Sequence, residues 1–365
     1  MSDQILQIEG TQPPRPGKVY EYFVNTVGGL EDAVLRDLKV HLKSFELIRV
    51  EPGRRIGRIL FRYHRSPARL LELRSVENLF VLLGDVGGIT PGRPGLLRIA
   101  RQVASCDLIP AASLHDLLSG PKRAHGFHLT CTVGRDHRFS VSELYQVVDT
   151  VLGAKYEIYA DNVPAPYRLH FRIGRKRGLF GLQLSERRLG ERTYQAGRSD
   201  DLNPSLAYMM CIFAGVESRD VCLDPLCTDG VPLIEAALAF GANRLISGAT
   251  EARLPLRTGE NLEAAGLTAE LGIWRDRRMD LADESVDKVI TDLRSVRSGA
   301  QIQLAELISE ITRVLKPRRK AVILTEDTEG VQQAVEESSG RLQIQKKVSI
   351  YLRGQRPSVF VLRRC

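Results

Sequence analysis

Residues 221–237, VCLDPLCTDGVPLIEAA, set a short hydrophobic strand, an acid-Pro turn, a single glycine and an apolar helix in immediate succession. A doubly wound sheet presents a small molecule at the carboxyl end of its first strand in this way, so these residues constrain the fold around them strongly. The loop between strand and helix must approach such a ligand closely, which favours residues without a β-carbon. Thr228 and Asp229 stand there instead, ahead of Gly230. They crowd the loop and add negative charge.

Strands and helices alternate from Leu202 onward. LNPSLAYMMCIFAGV reads as an amphipathic helix, followed by strand VCLD, helix VPLIEAALAFG, strand NRLISGA and helix LPLRTGENLEAAG. A short strand near LGIW, strand DKVITDL, helix AQIQLAELISEITRVL, strand KAVILT, helix TEGVQQAVEES and a hairpin-like pair, LQIQKKVSIYL with RPSVFVLRR, complete the series. Such alternation implies right-handed crossovers and a parallel sheet, with an antiparallel pair at the end. The expected fold class is α/β, a class I (Rossmann-like) domain over residues 200–365.

A length of 365 residues exceeds one ordinary core, so further domains are expected before it. With 43% hydrophobic and 26% charged residues the composition is that of a soluble protein. No apolar run reaches membrane-spanning length, and the start carries acids and prolines where a signal peptide would be basic then apolar. A cytoplasmic protein without membrane contact is the expectation. Cys106, Cys131, Cys211, Cys222, Cys227 and Cys365 lack the paired spacings of a zinc site, and no metal is expected.

Residues 18–30 alternate like a strand ending in Gly28-Gly29, then EDAVLRDLKVHL repeats at helical spacing. Strands FELIRVEP and GRILFRYH follow around Gly53, then SPARLLELRSVENLFVLL as a helix. This order predicts a small α+β domain over 18–90, ending in a Gly/Pro linker, GDVGGITPGRPG. Helical residues 96–120, strand HGFHLTCTV, a helix capped by Ser140 or Ser142, and strands RLHFRIG and LFGLQL predict a second α+β unit over 95–195.

Charge separates front from back. Residues 1–199 hold 30 Lys+Arg against 20 Asp+Glu, whereas residues 200–365 hold 22 against 24. The surplus concentrates in Arg168, Arg172, Arg175, Lys176, Arg177, Arg187, Arg188, Arg192 and Arg198, with only Glu186 and Glu191 among them. Such density is the footprint of a phosphate-backbone binder, against the alternative of a solvated basic face.

In order along the chain, GGLEDAVLRDL, the basic unit ending in RTYQAGR, LNPSLAYMM, DPLCTDGVPLIEAA, NLEAAGL, VDKVITDL and RVLKP resemble a THUMP-domain RNA methyltransferase of the tRNA guanine-N2 type. The resemblance runs from about residue 18 to the end. It implies a ferredoxin-like domain, a THUMP domain holding tRNA, and a catalytic domain moving a methyl from S-adenosylmethionine to the exocyclic amine of a guanine.

Four requirements of that chemistry can be checked against the residues. The cofactor loop of the family, close to DPFCGSGT, keeps Asp224, Pro225, Cys227 and Gly230 but meets Thr228 and Asp229 where small residues belong. An acid ending the second strand accepts the ribose hydroxyls, and only Glu251, late in LISGATEAR, could serve. An acid after the third strand reads the adenine amine; Trp274 and Arg275 occupy that place, with Asp276 adjacent. The fourth, a carbonyl-lined and aromatic-walled pocket for a flipped base, keeps Asp292 as acceptor, while Arg294 and Ser295 replace the proline and aromatic. Asp292 reads equally as a strand-end acid paired with Arg294 or Arg297. With Arg318 and Arg319 in a turn where glycines are common, these departures imply a fold retained over a relaxed site. Two alternatives stand: a tRNA methyltransferase whose turnover is weak or absent, and a catalytically silent RNA-binding protein that activates, or is completed by, a partner chain.

Overall fold

The structure, a computed structural model, describes residues 19–120, 124, 126–194, 202–250, 256–275, 278–294 and 304–365. Two sheets organise them, each of eight strands among the described residues. The first is formed by β1 (Tyr20–Val27), β2 (Phe45–Glu51), β3 (Ile56–Tyr63), β4 (Asn78–Gly87), β5 (Gly126–Val133), β6 (Tyr159–Ala160), β7 (Tyr167–Ile173) and β8 (Arg177–Gln183). Its order is β2-β3-β1-β4-β8-β7-β5-β6. Residues 18–90 and 95–195 therefore contribute to one continuous sheet, joined where β4 pairs antiparallel with β8. Helices α1 (Glu31–His41), α2 (Arg93–Ser105), α3 (Ile109–Ser119) and α4 (Val141–Tyr156) belong to the same unit. Of the two capping serines considered, Ser140 serves: its hydroxyl accepts from the Glu143 backbone and the Glu143 carboxylate accepts from its own. That reciprocal box starts α4 immediately after a basic loop.

The helix expected over SPARLLELRSVENLFVLL is absent. A 3-10 turn covers Pro67–Glu72, and Asn78–Gly87 is strand β4, so Gly84 lies inside a strand rather than at a domain end. The reason is burial on both faces. Leu79 and Val81 join the main core while Phe80 packs with Phe23, Leu60 and Leu179 on the other side. A strand with two apolar faces loses its alternation, and a short apolar run then looks the same in either conformation.

The second sheet contains β9 (Val221–Asp224), β10 (Arg244–Thr250), β11 (Glu270–Arg275), β12 (Arg278–Met279), β13 (Val286–Asp292), β14 (Leu315–Thr325), β15 (Leu342–Ser349) and β16 (Ser358–Arg364). The order β12-β11-β10-β9-β13-β14-β16-β15 is parallel from β11 to β14 and antiparallel at β16 and β15, the α/β arrangement expected from the sequence. Strand order reverses on either side of β9, which puts the ligand crevice of such a fold at the carboxyl ends of β9, β10 and β13. The helices are α5 (Pro204–Ala214), α6 (Val231–Phe240), α7 (Leu256–Ala264), α8 (Leu304–Val314) and α9 (Thr328–Glu337). Asn203 caps α5 by accepting from Ser205 and Leu206 at 2.9 and 3.2 Å, with Pro204 in the first turn, where its missing N–H is harmless. No described helix is long and apolar enough to cross a membrane.

The two sheets dock through α5 and α6. Ser205 Oγ donates to the Val76 carbonyl at 2.9 Å, Asn203 Nδ2 to Glu77 at 2.6 Å, and the Tyr208 hydroxyl to Asp37 at 3.2 Å. Gly28 bridges Tyr351, and a β-carbon at Gly29, whose φ is +95°, would stand 2.4 Å from the Ser349 carbonyl oxygen. Only glycine allows that approach.

Candidate cofactor crevice and nucleic-acid interface

β9 ends on Asp224, 3% exposed, with Leu226 N–H donating to its Oδ1 at 3.4 Å. Burial, reinforced by Asp229 and Asp292, pushes its carboxyl up to about 7, against the pull of the neighbouring Thr291 hydroxyl and Leu226 backbone. The turn beyond is held from outside. Trp274 Nε1 donates to the Pro225 carbonyl at 2.7 Å, so the indole braces the loop. Cys227 N–H reaches the Gly248 carbonyl at 3.1 Å, and its thiol, pushed far up by burial, lies 3.3 Å from Thr258 Oγ1. Gly230 has φ +73° and starts α6. A β-carbon there would stand 2.9 Å from Thr258 Cγ2.

Asp229, 5% exposed, turns inward. One carboxylate oxygen accepts from Val231 N–H in the first turn of α6 at 3.1 Å, and the other from Leu202 N–H at 2.7 Å. Its own carbonyl accepts from Asn261 Nδ2 at 2.7 Å. The carboxylate thus ties the amino end of α6 to the segment that opens α5. Burial holds its pKa above the ordinary carboxylate range, with the two backbone donors opposing. Leu202 and Asn261 open the motifs LNPSLAYMM and NLEAAGL, but neither they nor Thr258 was read as supporting the loop, because nothing in their spacing connects them to it.

β13 ends on Asp292, which Arg294 engages through both oxygens: Nε at 2.9 and 3.2 Å and Nη2 at 2.5 Å, with the Arg294 backbone N–H at 3.0 Å to Oδ1. Both side chains are 13% exposed. The pairing considered for Asp292 as a strand-end acid is present, with Arg294 as partner. Glu251, Asp276, Ser295, Arg297 and Arg198 lie outside the described residues.

The basic residues divide. Arg175 and Lys176 are exposed in the β7–β8 turn. Arg172, partly exposed, sits on β7 opposite Thr132. Two other loops meet this turn: Ile89 N–H donates to the Lys176 carbonyl at 3.1 Å, Arg138 N–H to the Pro91 carbonyl at 2.6 Å, and His137 Nε2 lies 2.6 Å from the Gly174 carbonyl. They bring exposed Arg93, Arg98, Arg135 and Arg138 to the same end of the sheet, where α2 and α4 also begin. These four are far from the turn in sequence, which hid them. Arg168, Arg187 and Arg188 are exposed at the opposite end of β7 and β8, one strand length or about 20 Å away. Arg188 faces Glu191 at 3.0 Å.

Two of the expected RNA contacts are bound within the protein. Arg177 donates to Asp85 at 2.6 and 3.0 Å. Arg192, its side chain 12% exposed, donates to Glu235 at 3.0 Å and to the Arg74 carbonyl at 3.0 Å. The basic run therefore has more acid opposite it than Glu186 and Glu191, since Asp85 and Glu235 arrive from other elements.

UPF0020, the RMKL-like methyltransferase domain, matches residues 192–356. The chain is 38% identical to the tRNA (guanine(10)-N2)-dimethyltransferase of Methanothermobacter thermautotrophicus over 91 residues, 25% of this chain and 26% of that protein. It is 25% identical to the human tRNA (guanine(6)-N(2))-methyltransferase THUMP3 over 259 residues, 65% of this chain and 50% of that protein. These matches support a relationship to the THUMP methyltransferase family, with the methyltransferase-domain model covering the carboxyl-terminal part of the chain. The chain spans half or less of the length of these curated relatives. Among solved structures, TrmN from Thermus thermophilus superposes with a TM-score of 0.77 at 20% identity, covering 95% of this chain and 100% of that one, which establishes the shared fold.

Proposed function

We propose that this chain is a cytoplasmic tRNA-binding member of the THUMP methyltransferase family in which S-adenosylmethionine-dependent N2-methylation of guanine is weak or absent. The RNA part rests on the convergence of Arg135, Arg138, Arg175 and Lys176, exposed cations of two loops, with Arg93 and Arg98 in the first two turns of α2, where backbone hydrogen bonds stitch the adjoining loops together. Their exposed acidic neighbours are Asp136 in the loop and Glu143 in the first turn of α4. The amino ends of α2 and α4 add partial positive charge to the same surface. Six free cysteines suit a reducing compartment.

The cofactor part rests on Asp229. The methionine end of S-adenosylmethionine carries a carboxylate that would seek the donors at the start of α6, and an internal carboxylate already holds Val231 there, together with Leu202 from the segment that opens α5. These residues do not fit the cofactor. Asp292, whose oxygens would accept the protons of a guanine amine, faces the Arg294 guanidinium instead.

A second reading, a working N2-methyltransferase, draws on the retained class I sheet with Asp224, Gly230 and Asp292 at its carboxyl end. In that reading Asp292→Ala abolishes methyl transfer to tRNA, and a partner chain completes the pocket if cofactor binds only in its presence.

The RNA assignment is tested by filter retention of tRNA across a salt series. Reversing Arg135, Arg138, Arg175 and Lys176 to Glu should lower affinity and flatten the log K against log salt slope by about 3, at roughly 0.7–0.9 for each phosphate that is no longer neutralised. Unchanged retention would leave the patch a solvated face.

A further inference from the structure

Glu235 lies on α6, in the apolar run LIEAALAF, and is fully buried. Its Oε1 accepts from Arg74 Nη2 at 2.9 Å, from Arg192 Nε at 3.0 Å and from the Tyr194 hydroxyl at 2.7 Å; its Oε2 accepts from Arg74 Nε at 2.9 Å. All of these donors come from the other side of the molecule. Arg74 precedes β4 in the first sheet, and Arg192 and Tyr194 follow β8. Arg192 also donates to the Arg74 carbonyl at 3.0 Å, which closes the network.

The surroundings show that packing alone does not fix this junction. A cavity of about 110 Å³, lined by Asp37, His41, Arg69, Arg74, Tyr208 and their neighbours, opens beside Arg74 between α1 and α5. An apolar side chain at position 235 would bury itself in α6 without needing partners, whereas a carboxylate out of water is tolerated only in a fully paired geometry. The acid therefore makes docking selective for one arrangement of the two sheets. That arrangement bears on α6, whose first turn carries Gly230 and is bonded to Asp229.

We propose that Glu235 is a positioning residue: through Arg74, Arg192 and Tyr194 it registers the RNA-binding sheet against α6, and so determines where a bound tRNA meets the crevice at Asp292. The tRNA half of this statement rests on the function proposed above; the docking half does not.

The test uses the full chain with Glu235→Gln, which keeps the acceptors without the charge, and Glu235→Ala. Small-angle scattering reads the docking, and ultraviolet crosslinking of bound tRNA, mapped by mass spectrometry, reads the placement. Expected are a larger radius of gyration, unchanged Trp274 fluorescence and retained crosslinks near Arg175. Crosslinks in peptides around Asp292 should disappear, more in Glu235→Ala than in Glu235→Gln. Unaltered scattering with unaltered crosslinks would overturn the proposal. If Glu235→Ala does not fold, Arg74→Ala decides, since it leaves Arg192 and Tyr194 on the carboxylate: partial loss of the Asp292 crosslinks supports the role and full retention refutes it. A wild-type chain that does not retain tRNA refutes the RNA reading, and the scattering comparison still judges the docking.

Discussion

Asp224→Asn should make the methyltransferase-like domain more stable than the wild type, by a margin at pH 8 more than twice that at pH 5. The carboxyl is pushed from the ordinary 3.8 up to about 7, chiefly by burial, with Asp229 and Asp292 adding repulsion. A folded pKa above the unfolded one means that the folded state holds its proton more tightly. The associated stability is complete below about pH 4 and is lost as pH rises through 7. At about 1.36 kcal/mol per unit, the three-unit displacement corresponds to a loss of at most about 4 kcal/mol by pH 8. Asparagine keeps the shape and an acceptor for Leu226 N–H but has no charge to bury, so the variant should escape that loss. Urea titrations at pH 5 and pH 8 read it, followed by Trp274, the one tryptophan of the chain, whose indole is bonded to the next residue, Pro225. A midpoint difference that is the same at both pH values, or a variant less stable at pH 8, would show that the buried carboxyl does not carry this cost.

Thr228→Gly with Asp229→Ser should increase affinity for S-adenosylmethionine by removing a repulsion of about 1–4 kcal/mol, roughly 5- to 1000-fold in Kd, read by calorimetry. The same pair should lower stability by about 1–3 kcal/mol, because Leu202 N–H loses its buried acceptor. Gly248→Ala places a β-carbon 2.1 Å from the Pro225 carbonyl oxygen, backbone that cannot step aside. Thermal unfolding should fall by several degrees, at about 2–4 °C per kcal/mol for a domain of this size, and an unchanged Tm would contradict the close approach.

The strand–helix series from Leu202 was legible because capping and turn residues bound its elements, as Asn203 and Pro204 do at the start of α5; that helix is not the amphipathic one expected, since residues 204–211 are all buried between the two sheets. β4 was not, since Leu79, Phe80 and Val81 are buried on both faces and lose the alternation that marks a strand. Loop chemistry could be read only as composition. The sequence shows Asp229 displacing a small residue, but its inward turn depends on Leu202 N–H, 27 positions earlier. Arg192 looked like its basic neighbours until Glu235, 43 positions later, came to face it. The converse holds for Arg93, Arg98, Arg135 and Arg138, which join the basic turn only after three strands align their ends. Contacts between elements distant in sequence carry no periodicity, so charge density along the chain misplaces them.

The Asp229 carboxylate holds the backbone donors that a cofactor carboxylate would need. Isothermal calorimetry of the wild-type protein with S-adenosylmethionine puts that occupancy to the test. No saturable heat is expected at ligand concentrations up to about 100 μM, a threshold near −5.5 kcal/mol. One-to-one binding tighter than that would mean that the donors are open to the ligand after all.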